Sequence, residues 1–178
     1  MLYPAPVRDL LLEMAAASLF RAKWSNEIHD EWIRNLLKNR PDLPPEKLDK
    51  TRQLMDATVM DCIVEGHMDM VGSLRLPDPD DRHVLAAAIH CGADAIITFN
   101  LKDFPPKIAD QYQIEILHPD DFLRFQFDFD NARVIVAAER VRARLKNPEI
   151  SADNYLEVLA RQGLTKTAAA LDPFRAII

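Results

Sequence analysis

The segment from Arg82 to Pro119 limits the fold of this 178-residue chain more than any other. The run RHVLAAAIHCG has the small and apolar residues of a packed helix, and Gly92 is placed to end it. ADAIITFN follows as an apolar strand, and after a loop QIEILHP has the pattern of a second strand. A helix joined to short apolar strands in this way predicts a parallel sheet that helices cover on both faces.

The rest of the first 126 residues repeats this alternation. LFRAKWS and DCIVEG are predicted to be further short strands. Helices are predicted over residues 7–18, over residues 26–39 with Ser25 as N-cap, and from Pro45 to about residue 58. The sequence therefore predicts an α/β domain over residues 1–126, with a parallel sheet between two layers of helices.

From residue 127 to residue 178 the pattern is helical throughout. NARVIVAAERVRARLK, SADNYLEVLARQ and TKTAAAL all have the apolar spacing of helices. Ser151 and Thr165 are the expected N-caps of the last two. We therefore predict a helical C-terminal extension over residues 127–178.

The composition is that of a globular protein, since 48% of the residues are hydrophobic. The net charge of −6 argues against a broad, non-specific nucleic-acid surface, but it suits a nuclease that holds cations on carboxylates. The sequence has neither a secretory signal pattern nor an apolar run of membrane-spanning length, so we expect a cytoplasmic protein with no membrane contact. Cys62 and Cys91 lack metal-ligand spacing and are expected to be buried free thiols.

Asp81, in the stretch LPDPDDRHVL, is the first candidate site residue. Asp78 as N-cap, Pro79 as the first helical residue and Asp81 in the first turn would form an ordinary helix cap. On a helical wheel, however, Asp81 lies at the head of the buried stripe, whereas Asp80 points to one side. Burying the negative charge of a carboxylate on that stripe is unfavourable unless a partner offsets it, and a bound cation is a strong partner of this kind. The pattern alone leaves capping and a site role both open.

Glu31 and three residues after the ADAIITFN strand are the other candidates. Glu31 lies just outside the apolar arc of its helix. An ordinary solvent-exposed residue on the flank of a helix would have the same position. Thr98, Asn100 and Asp103 lie where the chain turns after a buried strand, and Asn and Asp are ordinary turn residues. Ligands of α/β folds bind beyond the carboxyl ends of the strands. Acids that reach this end from three segments match a site for one or two hard divalent cations.

The histidines are not expected to form a competing site. His83 and His90 fall on the outer side of their helix on the same wheel. The remaining three, His29, His67 and His118, lack metal-ligand spacing. We expect exposed or capping side chains at these positions.

The stretch PDPDDRHVLAAAIHCGADAIITFNLKDFP, preceded by WSNEIHDEW, resembles the PIN-domain nucleases, specifically the VapC-type toxins of prokaryotic toxin–antitoxin pairs. The resemblance covers about residues 2–122, and YLEVLARQGLTKTAAAL is similar to a helical extension in one branch of that family. It implies an endoribonuclease that depends on Mg²⁺ or Mn²⁺, in which the metals activate water for in-line attack on a phosphodiester.

The resemblance also implies roles for individual residues. Glu31, Asp81 and Asp103 match acids of the family and are the implied metal ligands. Asn100 stands where the family has Asp or Asn, and Thr98 resembles a polar residue that orders the site, so both join the implied catalytic set. Family members are usually homodimers that a small antitoxin inhibits. The implied partners are therefore RNA, an antitoxin and a second copy of the chain.

The opening MLYPAPVRDLLL departs from the family pattern. Its first residues resemble the tail of the family's first strand, so we expect that strand and its metal-binding Asp to be missing and nuclease activity to be impaired. Asp9 is expected only to cap or to form a salt bridge. Two alternatives stay open. One is a catalytically inactive PIN-like module that sequesters an antitoxin or RNA. The other is a nucleotide- or phosphate-binding α/β protein, which the absence of a Gly-rich loop disfavours.

Overall fold

The structure is a computed structural model, and it describes residues 5–146 and 148–178. The α-helices of these residues are α1 (Ala5–Ala16), α2 (Asn26–Asn39), α3 (Pro45–Thr58), α4 (Arg82–Cys91), α5 (Pro106–Ala109), α6 (Pro119–Phe129), α7 (Asn131–Arg144), α8 (Ala152–Arg161) and α9 (Thr165–Leu171). The strands are β1 (Ala95–Ile97) and β2 (Glu115–Leu117), and 3₁₀ turns cover Met68–Ser73, Pro79–Asp81, Leu101–Asp103, Asp110–Tyr112 and Asp172–Phe174. Within the described ranges, none of the helices has the length and apolarity needed to cross a membrane.

The chain forms two compact units. One consists of residues 22–118, and the other combines the residues up to 21 with residues 119–178. The predicted domain boundary between residues 126 and 127 lies within α6. The division into domains 1–126 and 127–178 stays a prediction.

The unit of residues 22–118 is built around a small parallel sheet. β1 pairs with β2 in the register Ala95 to Glu115 and Ile97 to Leu117. Helix α4 leads into β1 through Gly92, which takes a left-handed conformation with φ 63° and ends the helix. The surrounding core consists of Leu74, Leu76, Leu85, Ala86, Ala88, Ile96, Phe104 and Ile114. The predicted α/β class with parallel strands is confirmed.

Two of the predicted strands are wrong. LFRAKWS and DCIVEG meet only at an isolated parallel bridge between Trp24 and Ile63, where two backbone hydrogen bonds form. Positive φ values at Asp61 and Gly66 interrupt the extended backbone on both sides of Ile63. Ser25 begins α2 directly after Trp24, since its side chain caps the helix. The pairing of these two segments therefore cannot extend into a ladder of β-strands.

The predicted helices agree with the structure more closely. Those over residues 26–39 and from Pro45 to residue 58 are confirmed as α2 and α3. The first predicted helix, over residues 7–18, is observed as α1 and ends earlier because Ser18 has a φ of 59°. Asp9 forms a salt bridge of 2.8 Å with Arg8. The predicted strand tail at the start of the chain falls on residues 1–4, outside the described residues.

A polar network fixes the orientation of α2. The indole Nε1 of Trp32 donates to Nδ1 of His29 at 2.9 Å, so Nε2 of His29 carries the ring proton and faces Oδ1 of Asp56 at 2.9 Å. The indole of Trp24 donates to the same Asp56 oxygen at 2.8 Å. Burial lowers the pKa of His29, even though Asp56 acts in the opposite direction. The prediction of an exposed or capping His29 is wrong, because its ring is completely buried in this network.

The other unit is helical. Glu13 of α1 is buried and accepts hydrogen bonds from Arg140 and Arg144 of α7. Ser151 caps α8 as predicted. Thr165, by contrast, is the first residue of α9 and not its N-cap. The carboxylate of Asp120, on α6, supplies the capping acceptors instead, because it accepts from the backbone N–H groups of the first turn of α9.

Candidate active site

The 3₁₀ turn Pro79–Asp81 places two aspartates before α4. Oδ1 of Asp78 accepts a hydrogen bond of 2.9 Å from the backbone N–H of Asp80, so Asp78 is the N-cap of the turn. The side chain of Asp81 makes no capping hydrogen bond at the start of α4. Side chains three positions apart in a 3₁₀ turn lie in line, and Asp78 and Asp81 have this spacing. Capping is therefore the role of Asp78 in this turn, and the Asp81 carboxylate remains available for other contacts.

The loop after β1 carries the other predicted polar residues. Oγ1 of Thr98 accepts a hydrogen bond of 3.0 Å from the backbone N–H of Asn100. The side-chain amide of Asn100 in turn donates to Oδ2 of Asp103. Phe104, the next residue, is buried in the core and anchors the loop. The three predicted residues thus form one connected series that ends on the Asp103 carboxylate.

The 3₁₀ turn and the loop bring three carboxylates together. Asp78, Asp81 and Asp103 each offer one oxygen, and these oxygens lie within 4.8 Å of one another. Burial and the charges of Glu31, Asp103 and Asp78 together raise the pKa of Asp81 to about 6, although His83 acts in the opposite direction. The surroundings of Asp81 therefore disfavour its ionised form on balance.

Glu31 approaches this cluster from α2 and pairs with a histidine. Nε2 of His83 lies 3.3 Å from Oε2 of Glu31, while Nδ1 of His83 is 2.7 Å from the carbonyl oxygen of Asp80. A carbonyl only accepts, so Nδ1 donates, and Nε2 can face a carboxylate favourably only if it too is protonated. This contact lowers the pKa of Glu31, although burial opposes it. Burial would lower the pKa of His83, but the contacts with Glu31 and the Asp80 carbonyl outweigh it and raise the pKa.

Two residues of this site were not predicted as such from the sequence. Asp78 was interpreted only as a helix cap, although its spacing of three residues from Asp81 is compatible with both carboxylates facing one ligand. His83 was placed on the outer side of its helix, which is wrong, since its side chain is only 13% exposed. The wheel considers α4 alone, whereas Glu31 of α2 lies beside His83 and helps to bury it. His67 was also expected to be exposed or to cap, but it is buried, with Nε2 3.4 Å from Glu27.

Comparison with known proteins connects this arrangement to a family. A family model described as "PIN domain" matches residues 1–102. The chain belongs to the PIN-domain family. A second model, described as "VapC50 C-terminal domain", matches residues 119–173. The predicted resemblance to VapC-type PIN proteins is confirmed.

A curated relative of this PIN-domain protein is the "Putative ribonuclease VapC50" of Mycobacterium tuberculosis (strain ATCC 25618 / H37Rv). It is 39% identical over 98 residues, which cover 54% of this chain and 57% of the relative. The match thus spans little more than half the length of that protein. No solved structure matches the chain.

The aspartates of this PIN domain are the residues that could hold a metal. An all-oxygen donor set suits hard divalent cations such as Mg²⁺ and Mn²⁺. Ligand oxygens about 2.1 Å from a Mg²⁺ ion are at most about 4.2 Å apart, on opposite sides of it. The observed limit of 4.8 Å between the oxygens of Asp78, Asp81 and Asp103 exceeds this only slightly. The carboxylates present are therefore close enough together to share a small divalent cation.

Proposed function

We propose that this chain is a metal-dependent endoribonuclease, the toxin of a toxin–antitoxin pair acting in the cytoplasm. The observation that carries the proposal is the convergence of Asp78, Asp81 and Asp103 in a PIN domain, with the pKa of Asp81 raised to about 6. Burial and like charges disfavour the ionised form of such a carboxylate, and a bound cation would stabilise that form. The name of the mycobacterial relative supports RNA as the substrate class.

The side chains of the site have distinct roles in this proposal. Asp81, Asp103 and Asp78 bind Mg²⁺ or Mn²⁺, and Glu31 adds a fourth carboxylate from α2. Asn100 holds the Asp103 carboxylate by its amide, while Thr98 orders the loop backbone. When bound, the metal supplies positive charge for the phosphate oxygens and lowers the pKa of a coordinated water. Without it, the acids of the site would repel an RNA phosphate.

Three further features belong to the same proposal. RNA is the substrate, a small antitoxin protein is the inhibitor, and the chain forms a homodimer. Residues 1–126 form the nuclease domain, and residues 127–178 form a helical extension of it. The second family match, over residues 119–173, supports a distinct C-terminal segment, which in the structure forms one compact unit with α1.

The test is cleavage of a labelled RNA pool by the full chain, with Mg²⁺, with Mn²⁺ and with EDTA. We expect cleavage that requires the metal, and a loss of about two orders of magnitude in Asp81→Asn. Asp80→Asn is the matched control, because Asp80 is the exposed neighbour of Asp81. Equal cleavage by the Asp81→Asn variant and the unmodified chain would overturn the assignment of Asp81. No cleavage with either metal would favour an inactive binding module, and the measured rate also tests the expected impairment.

A further inference from the structure

The ring of His83 is fixed between two elements beside the acid cluster. It lies on α4, two residues after Asp81, and its Nδ1 donates to the Asp80 carbonyl at 2.7 Å. This bond sets the orientation of the ring, so Nε2 points away from α4. Nε2 is closed to solvent and has no hydrogen bond of regular geometry to any described residue. Its ion-pair partner is Oε2 of Glu31, at 3.3 Å.

Glu31 is the acid of the site that reaches it from a separate helix, α2. It approaches from α2 on a long side chain with three rotatable bonds, and the charges of the aspartates repel it. On its own helix it has a weak contact, a hydrogen bond of 3.4 Å from Nδ2 of Asn35 to Oε1. Asn35 is exposed, so water competes for that bond. The other oxygen, Oε2, faces His83. The two oxygens of Glu31 thus have different partners, and the partner atom that is shielded from water is Nε2 of His83 on α4.

We propose that His83 is a positioning residue that holds the Glu31 carboxylate towards Asp78, Asp81 and Asp103. The role rests on the proposed function, because it concerns the binding of a cation by the same acids. Partners that orient metal-binding side chains change metal affinity by about 10- to 100-fold when they are removed. If His83 only linked α2 to α4, its removal would lower the stability of the fold. Any change in metal affinity would then be the same whether or not Glu31 is present.

The test measures Mn²⁺ binding directly, by the electron paramagnetic resonance signal of free Mn²⁺ in titrations of the full chain. His83→Asn keeps a donor near the Nδ1 position and loses Nε2, whereas His83→Gln keeps a donor near the Nε2 position. His83→Phe keeps the volume of the ring without either donor, so the test remains possible if one variant does not fold. His90→Asn is the matched control, since His90 is exposed on the same helix.

We expect His83→Asn and His83→Phe to raise the Mn²⁺ dissociation constant about tenfold. His83→Gln should recover most of the affinity, and His90→Asn should leave it unchanged. In a Glu31→Gln background, His83→Asn should change the constant by less than about twofold, because the side chain it positions is already lost. Equal effects of His83→Asn with and without Glu31 would overturn the positioning role, as would unchanged affinity in both His83→Asn and His83→Phe.

A failure of the proposed function gives a different result. If Asp81→Asn binds Mn²⁺ as well as the unmodified chain does, the aspartates are not the metal site. The positioning role of His83 is then overturned together with the proposed metal site. If Asp81→Asn loses binding while the His83 variants keep it, the metal site stands and only the positioning role is overturned. Thermal unfolding of each variant, followed by circular dichroism, reports folding separately from metal affinity.

Discussion

Replacing Asp81 with Asn should stabilise the metal-free protein at alkaline pH. Burial and the neighbouring acids raise the pKa of this carboxyl from 3.8 to about 6 in the folded state. A group with a raised pKa favours folding when protonated, and this contribution is lost as the pH rises through about 6. Above that pH the folded chain therefore contains an unfavourable charge, which Asn removes. The substitution breaks no cap, because the side chain of Asp81 makes no capping hydrogen bond.

The size of the effect follows from the shift in pKa. About two units correspond to roughly 3 kcal/mol at about 1.4 kcal/mol per unit. Asp81 is only partly buried, so solvent screening reduces this to about 1–2 kcal/mol. Linkage predicts the full gain at pH 8, about half of it at pH 5, and almost none at about pH 3, where the carboxyl is protonated in both the folded and the unfolded chain.

Urea denaturation in EDTA at pH 8 and pH 5 measures the gain, with Asp80→Asn as the control that should change little. Added Mg²⁺ should then reverse the order of stability, because it stabilises only a chain that binds it. The reasoning is refuted if Asp81→Asn is no more stable than the unmodified chain at pH 8. It is refuted equally if the gain is the same at both pH values, since a packing effect does not depend on ionisation.

Two predictions concern the polar groups that hold each unit together. Asp120→Ala should lower the free energy of unfolding by about 2–4 kcal/mol at pH 7, because it leaves backbone N–H groups of α9 without acceptors. Urea denaturation measures this loss. The control is Asp121→Ala, at an exposed neighbouring residue, which should cost under about 1 kcal/mol. Burial acts to raise the pKa of Asp120, but the N–H groups of α9 outweigh it and lower the pKa, so this contribution should persist at neutral pH and disappear as the pH falls through the lowered value. Asp56→Ala should cost a similar 2–4 kcal/mol, since it leaves the indole of Trp24 and the ring of His29 without their shared acceptor; a loss below about 0.5 kcal/mol in either alanine variant would contradict the reasoning.

Local signals in the sequence predicted the elements that local interactions determine. Ser25 caps α2, Pro45 begins α3 and Gly92 ends α4, each at its predicted position. These positions depend on a few neighbouring backbone groups, so the sequence alone identifies them. The extent of the sheet depends on contacts between distant segments. The bridge between Trp24 and Ile63 stays isolated because residues such as Asp61 have a positive φ. The identity of a non-glycine residue does not reveal such a conformation.

The candidate site divides in the same way. The sequence by itself determined the family, through the spacing of acids and small residues in PDPDDRHVLAAAI and TFNLKDF, and with it the expectation of an acidic site. Only the tertiary structure decided that Asp78 joins Asp81 and Asp103, and that His83 faces Glu31. For Asp78, the physical reason is that a 3₁₀ turn rotates side chains by a larger step per residue than an α-helix does. For His83, the reason is that a helical wheel describes one helix only. A wheel of α4 cannot show that α2 places Glu31 beside His83.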